Sequence, residues 1–490
     1  MPETVTCTWY PNHSRPGADL NGSGRGDTAD RVNIFNSVNC NSFDAVLRHG
    51  NVVTSTCPPL RPGGSGSPTA WQAAERGAKV TLYEMRPKQA TAAHKTSNLA
   101  EIVCSNSLGS ADPISAPGIL KEEMRLLNSL VMQAAEMARV PAGLALAVDR
   151  DIFAQEITRT LESHHNIKII REEILEIPSD TLCIVATGPL TSEPLAQSLT
   201  ALTSKKNLAF FDAISPIIDA ESINMEKVFR ASRYDKGSAD YLNCPMDEET
   251  YTAFYDMLMG AEKVEAKEFE KVPYFEGCIP IEVMAERGKQ TLTFGPMKPV
   301  GLVDPKTGKR PYAVLQLRAE NRYDSCYNMV GFQTKLKYSE QKRVFQMIPG
   351  LERAEFLRFG SIHRNTFVNS PEILRNTLQL KMRGTTFLAG CIIGVEGYVE
   401  SAASGGLAGI NAVRGLAGLP LVTPPLETAH GALINYITTS DARHFQPMNT
   451  NFGLFPPLPT KMREKEQKRR LIYQRAMDEF QAWKTQFALS

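Results

Sequence analysis

From Thr69 onward, apolar and polar positions follow two alternating rhythms. Stretches of helical period are separated by runs of β-branched and aromatic residues, with Gly or Pro between them. Ala70 to Arg76 is a run of helix formers that Gly77 stops, and Lys79 to Tyr83 reads as a strand ending on Glu84. GILKEEMRLLNSLVMQAAEMAR (118–139) predicts one amphipathic helix. DRDIFAQEITRTLESH (149–164) predicts a second, with Asp149 as its N-cap. IKIIREEILEI (167–177) predicts a strand and a turn into another strand, and TLCIVATGPL (181–190) a buried strand closed by a glycine turn. TTFLAGCIIGVEGYVESAASGGLAGINAVRG (385–415) predicts a strand, a glycine-rich turn and a helix of small residues. Such alternation predicts an α/β fold, a Rossmann-like domain around a parallel sheet.

Two regions break the rhythm. Residues 191–326 are irregular and rich in aromatics, Pro and Gly. They predict an inserted α+β domain that splits the Rossmann-like domain into 69–190 and 327–435. Residues 436–490 form a C-terminal segment, Pro/Phe-rich at first and then a charged helix. Residues 1–68 are rich in Asn, Ser, Gly, Arg and Pro with few periodic apolar positions, which predicts an irregular, disordered N-terminal segment.

Composition narrows the classes. A chain of 490 residues predicts more than one domain. Net charge is +1, so any nucleic-acid binding rests on local patches rather than a global field. Nine cysteines without a CxxC pair argue for a reducing compartment and against a disulfide framework or a zinc site. No apolar run nears the roughly 20 residues that span a bilayer. The expectation is a cytoplasmic protein with no membrane contact and no metal.

Candidate chemistry sits at the strand ends. RPGGSGSPTAW (61–71) places Gly63, Gly64, Ser65 and Gly66 before a helix, and the acid Glu84 follows about 20 residues on, the spacing of a dinucleotide site. A surface Gly/Ser turn before an ordinary helix reads equally well from this fragment. Gly188 ends the VATG strand where a nucleotide half can lie, and Gly390, Gly394 and Gly397 open the small-residue helix, whose N–H groups can face a flavin. Close helix-on-sheet packing also needs those small residues. Cys104 lies in the polar turn EIVCSNSLGS and Cys278 in FEGCIPIEVM. Both stand in company unusual for an inert thiol, whereas Cys183 sits inside an apolar strand. Lys306, Lys309 and Arg310 on a Gly/Pro loop are candidates for phosphate contact, as are the basic residues of the last helix, or they form plain solvated faces.

These residues carry a family resemblance. YEMRP, AEIVCSNSL, LKEEMRLL, RVPAGLALAVDRD, VATGPLTS, SRYDKGSADYLNCPM, YFEGCIPIEVMAERG, GFQTKLK, HRNTF, GVEGYVESAASG and HFQPMNTNFGLFPP run from near Trp71 almost to the end. The chain resembles the folate- and FAD-dependent tRNA (uracil-5-)-methyltransferases of the TrmFO family, relatives of the MnmG (GidA) flavoproteins. The resemblance implies methylation of uridine-54 in the tRNA T-loop, with 5,10-methylenetetrahydrofolate as carbon donor, reduced FAD as reductant and NAD(P)H to restore it. It implies Cys278 as the thiol that adds to uracil C6 and Cys104 as the second catalytic thiol near the flavin. It also implies Glu84 on the ribose, Gly188 near the nucleotide half, and Gly394 and Gly397 near the flavin. An MnmG-like modifying flavoprotein and a non-catalytic tRNA-binding protein without FAD are the alternatives.

Two departures stand out. Cys391 occupies the place where the family usually has Gln. The larger one is at the fingerprint. The family reads roughly V-x-V-I-G-G-G-L-A-G-S-E-A-A-W, and counting back from Trp71 this chain reads C-P-P-L-R-P-G-G-S-G-S-P-T-A-W. Prolines remove ladder donors, so residues 58–62 cannot serve as the leading central strand. The abrupt break predicts that the segment up to about Pro68 is not the family's own N-terminus, as after a frame shift or a displaced gene start.

Overall fold

The computed structural model describes residues 31–36, 65–88, 96–102, 105–179, 181–188, 191–204, 208–235, 238–264, 279–460 and 462–489. One six-stranded sheet runs from edge to edge as Gln379–Leu380, Arg383–Leu388, Cys183–Val185, Arg31–Asn36, Lys79–Glu84 and Ile167–Ile170. Its first pair is antiparallel and every other pair parallel. Chain order therefore switches direction beside Arg31–Asn36, the place where open α/β sheets bind ligands beyond the carboxyl ends of their strands. Leu82, Ile184, Phe387 and Leu388 are fully buried, as parallel strands between two helix layers require.

A second six-stranded sheet, antiparallel throughout, joins Phe229–Arg230, Tyr241–Met246, Ala313–Ala319, Cys326–Met329, Ile217–Asp219 and Phe356–Arg358. It has its own core, including Tyr251, Phe254, Phe332 and Phe345. An antiparallel ribbon of Leu208–Ala213 and Ile362–Phe367 connects it to the first domain. The expected boundaries move accordingly. Cys326–Met329 pairs with Ala313–Ala319, so the insertion does not end at 326 but continues to the ribbon. Helix Glu193–Thr203 belongs instead to the first domain, burying Leu195 and Leu199 in its core.

Several local expectations also change. The helix expected over 118–139 is two helices, Ala116–Leu126 and Leu130–Met137. They part at Asn128, whose φ of +56° is left-handed. The freed carbonyls are used: Trp71 Nε1 donates to Asn128 O at 2.8 Å and Gln72 Nε2 to Leu127 O at 2.7 Å. Of 167–177 only Ile167–Ile170 is a strand. Asp149 caps Arg150–Ser163 as expected, accepting from the backbone N–H of Asp151 and Ile152, each at 3.1 Å.

At the N-terminus the structure differs from an irregular segment in one element. Arg31–Asn36 takes the central position of the parallel sheet, aligned along its whole length with Lys79–Glu84. The other residues of 1–64 lie outside the described residues. The C-terminal helix Lys465–Gln486 buries Ile472, Ala476, Phe480 and Trp483 against the first domain's core.

Helix Gly66–Glu75 crosses helix Tyr398–Leu416 almost backbone to backbone. A side chain at Gly405 would bring its Cβ to 1.9 Å from Ser65 O, and one at Gly409 to 2.6 Å from Thr69 O. Thr69 Oγ1 donates to Gly405 O at 2.8 Å. The small residues of 401–409 are thus used for close packing.

Candidate active site

The turn between Leu388 and Tyr398 is built from backbone that only glycine adopts cheaply. Gly390, Gly394 and Gly397 have φ of +83°, +82° and +108°. A Cβ at Gly394 would sit 2.6 Å from the Phe445 ring, and one at Gly397 2.2 Å from Glu400 Oε2. Gly390 N donates to Ser404 Oγ at 2.9 Å, tying the turn to its own helix. A segment of the C-terminal region braces it from outside. Met448 N donates to Gly394 O at 3.0 Å and Glu396 N to Met448 O at 2.8 Å. Thr450 N donates to Glu400 Oε1 at 3.1 Å.

Gly188, with φ of +58°, closes the neighbouring strand. Thr191 Oγ1 donates to its carbonyl at 3.1 Å. Ala389 N donates to Val185 O at 3.0 Å, so the two glycine turns leave the same sheet edge side by side. Glu84 ends Lys79–Glu84 on that edge and is fully buried. Its Oε1 accepts from Arg86 N at 2.9 Å. Its Oε2 has no hydrogen-bond partner among the described residues. Burial pushes the Glu84 carboxyl up to about 7, although Arg86 and Arg171 pull it down. Gly66 begins its helix and Ser65 precedes it, both buried, with no side-chain cap bond from Ser65. Gly63 and Gly64 lie outside the described residues, as do Cys104 and Cys278.

A cavity of about 350 Å³ opens at the start of helix Tyr398–Leu416, walled by Glu396, Gly397, Tyr398 and Glu400 from the first domain and by Arg318, Asn328 and Gln333 from the second. Ser105, next in sequence to Cys104, also lines it. Arg318 is 5% exposed; its Nε donates to Asn106 Oδ1 at 2.9 Å and its Nη2 to Ser105 Oγ at 2.7 Å. On the far side Ile281 N donates to Gln333 O at 2.7 Å, only three residues after Cys278. The described neighbours of both cysteines therefore flank one cavity between the domains.

Sequence reasoning missed three buried charged residues. Lys121 is 1% exposed behind the cavity wall, its ammonium donating to Ser110 O at 2.9 Å, and burial brings its pKa down to about 8. Glu123, fully buried, accepts from Ala429 N at 2.6 Å and His430 N at 2.9 Å, placing a carboxylate at the start of helix Ala429–Thr439. Both hide in KEEM, a run that reads as surface charge. Arg318 sits in an alternating strand, and nothing in its sequence context separates it from an exposed arginine. Cys391 is 2% exposed with its Sγ 3.2 Å from Ser401 Oγ, in the turn itself.

The basic loop stands apart from the cavity. Lys306, Lys309 and Arg310 are all exposed. The Lys306 ammonium, however, donates to the carbonyls of Glu226 and Val228, which anchors the loop. Lys309 and Arg310 remain as its outward cations.

The group implied at the sheet edge is FAD, and the residues present fit it in three ways. Glu84 Oε2 is a buried acceptor awaiting a donor such as a ribose hydroxyl. The glycine turns at 188 and 390–397 admit close approach of a ligand to the backbone. A helix N-terminus, Tyr398, opens onto a cavity of small-molecule size.

Comparison with known proteins agrees. A family profile described as GIDA, glucose inhibited division protein A, matches residues 62–420. A Pelotomaculum thermopropionicum protein named methylenetetrahydrofolate–tRNA-(uracil-5-)-methyltransferase TrmFO is 57% identical over 422 residues, covering 86% of this chain and 97% of the relative. A Geobacter sulfurreducens protein of the same name is 56% identical with the same coverage. Among solved structures, Aquifex aeolicus GidA in its form II crystal superposes with a TM-score of 0.61 at 15% identity, covering 87% of this chain and 73% of that one. At that identity the likeness speaks for the fold. The coverage and identity of the named relatives speak for more: this chain belongs to the TrmFO family, within the wider GidA group.

Proposed function

We propose that this chain methylates uridine-54 in the T-loop of tRNA to 5-methyluridine, taking the carbon from 5,10-methylenetetrahydrofolate. The observation that carries the reading is 57% identity across 97% of a relative bearing that enzyme name. FAD, when bound and reduced by NAD(P)H, would supply the two electrons that turn the transferred methylene into a methyl group. Glu84 would hold its ribose, Gly63, Gly64, Ser65 and Gly66 would meet its pyrophosphate, and Gly188, Gly390, Gly394 and Gly397 would line its nucleotide and flavin ends.

Cys278 is the nucleophile. Its thiolate adds to uracil C6, which makes C5 electron-rich enough to take the one-carbon unit; loss of the C5 proton then expels tetrahydrofolate and leaves an exocyclic methylene, and reduction of that methylene to methyl by the two electrons that FAD would supply releases the thiolate from C6. Cys104 serves as the second thiol beside the flavin. Arg318 holds Ser105 and Asn106 and so fixes the described end of the Cys104 turn. Lys309 and Arg310 meet tRNA phosphates, while Lys306 orders their loop. Free cysteines and a modest net charge suit a cytoplasmic setting.

The test is Cys278→Ala. Assayed with added FAD, methylation of a T-arm RNA should disappear while the flavin bound per chain stays equal to the parent's, and Cys183→Ala, inside the core, should lose only packing. Equal methylation by wild type and Cys278→Ala removes Cys278 from the mechanism. A second reading, a tRNA-binding chain that holds no FAD, is favoured by the 29 residues (37–65) separating the central strand from its helix. A flavin absorbance spectrum of the purified chain tells the two apart.

A further inference from the structure

Three aromatic rings leave the second domain's core in a nearly parallel stack. Phe356 packs against that core. Phe359 lies on it with centroids 5.2 Å apart and planes 13° apart, and Tyr338 lies on Phe359 at 5.0 Å and 17°. Tyr338 ends the stack and is 60% exposed. A large ring left open to water at the end of such a stack offers a second π-face of the shape that unpaired bases occupy.

The stack is held rigid. Gln341, one turn along helix Tyr338–Phe345, clamps the residue after Phe359: its Nε2 donates to Gly360 O at 2.9 Å and its Oε1 accepts from Gly360 N at 2.7 Å. Its anchored end reaches the cavity wall. A Cβ at Gly360 would lie 2.7 Å from Ile214 O, and Ile214 lines the cavity wall with Gln333. Charge suits a polyanion: Lys342, four residues from Tyr338 on the same helix face, is exposed.

We propose that Tyr338 is a stacking platform for an unpaired nucleobase of the RNA substrate, with the Lys342 ammonium meeting a neighbouring phosphate. This rests on the tRNA reading above and adds a contact beside the cavity. A ring serving only to cover Phe359 is replaceable by any apolar side chain; a platform is replaceable only by another ring.

The experiment measures binding of a T-arm stem-loop RNA carrying 2-aminopurine in its loop, at several salt concentrations, with FAD content and circular dichroism checked for each variant. Tyr338→Leu, which keeps Phe359 covered, should weaken binding about tenfold with an unchanged salt slope, while Tyr338→Trp should retain wild-type affinity. Lys342→Gln should lower the salt slope by about one. Tyr338→Leu binding within about twofold of wild type overturns the platform, since a lost base stack must register. Wild-type chain that fails to bind the RNA at all overturns the tRNA reading and the platform with it, whereas binding lost only in Tyr338→Leu supports both.

Discussion

The first domain contains two strand-to-helix passages from neighbouring places in the same sheet, and they differ in the length of chain each takes. From Leu388 to Tyr398 the chain takes nine residues (389–397), three of them glycines in left-handed backbone, braced by Phe445 and Met448. From Asn36 to Gly66 it takes 29 residues (37–65). The helices beyond the passages are equally well made, since Gly66–Glu75 and Tyr398–Leu416 cross through Gly405 and Gly409. The strands occupy neighbouring places in the sheet, with only Cys183–Val185 between them. What differs is the connection. A phosphate-binding turn works because consecutive N–H groups of a short strand-to-helix bend converge on one anion. A connection of 29 residues can supply a strand to the sheet without supplying that bend.

The comparison breaks or stands first on cofactor content. If the long connection fails as a phosphate turn, the chain as written should retain far less than one FAD per chain. Replacing residues 1–68 with a V-I-V-I-G-G-G-L-A-G-S-E segment should bring it close to one, and should raise the melting temperature. Absorbance of the flavin against protein concentration measures both chains. Stoichiometric FAD in the unmodified chain shows that residues 37–65 do form a working turn, and the contrast between the passages then disappears.

Next in size are substitutions that separate what the passages share from what they do not. Gly405→Ala forces a Cβ into Ser65 O and should open the shared helix crossing at about 3 kcal/mol or more, because backbone on both sides cannot yield. Gly394→Ala strains only the short passage, through its +82° φ and its overlap with Phe445, and should lose about 2 kcal/mol together with FAD. Urea unfolding of the two variants measures this. Equal flavin loss in both, with no difference in stability, means that the crossing and the turn act as one unit.

How much of this was legible in the sequence follows from where each signal lives. Lys79–Glu84 and Cys183–Val185 announce themselves because their apolar runs face core on both sides, Arg383–Leu388 through its buried end at Phe387 and Leu388, and the turn at 390–397 because only glycine tolerates its φ values. Asp149 is readable because an N-cap is a local event. Arg31–Asn36 is not readable: RVNIFN carries two asparagines in a place where both faces of a parallel strand are normally covered, and its partners lie at residues 79 and 183. The end of the insertion is misread for a similar reason, since the pairing of Cys326–Met329 with Ala313–Ala319 is set by register and not by composition. Buried Lys121, Glu123 and Arg318 look like surface charge because the partners that admit them to the interior are the backbone carbonyls of Ser110 and Pro117 for Lys121 and, for the other two, N–H groups and turn residues far along the chain.

The smallest effect concerns Glu84, which ends the strand next to Arg31–Asn36 on the far side from Arg383–Leu388. Its carboxyl is raised by burial from 4.5 to about 7, with Oε2 lacking a partner among the described residues. An acid raised in the folded state binds more protons folded than unfolded. Its contribution is therefore fully present below about pH 4.5 and is lost as pH rises through 7. The FAD-free chain should accordingly lose about 1–3 kcal/mol of stability across that window on account of this one group. Glu84→Gln has no proton to lose and should flatten that part of the profile, melting higher than the parent near pH 7.5 when both lack FAD. With FAD present the order should reverse, because the ribose donors meet a carboxylate more favourably than an amide. Melting curves from pH 5 to 8, with and without FAD, read both halves. A Glu84→Gln chain that keeps the parent's pH slope means another group carries it, and one that keeps full FAD affinity means the ribose lies elsewhere along the sheet edge.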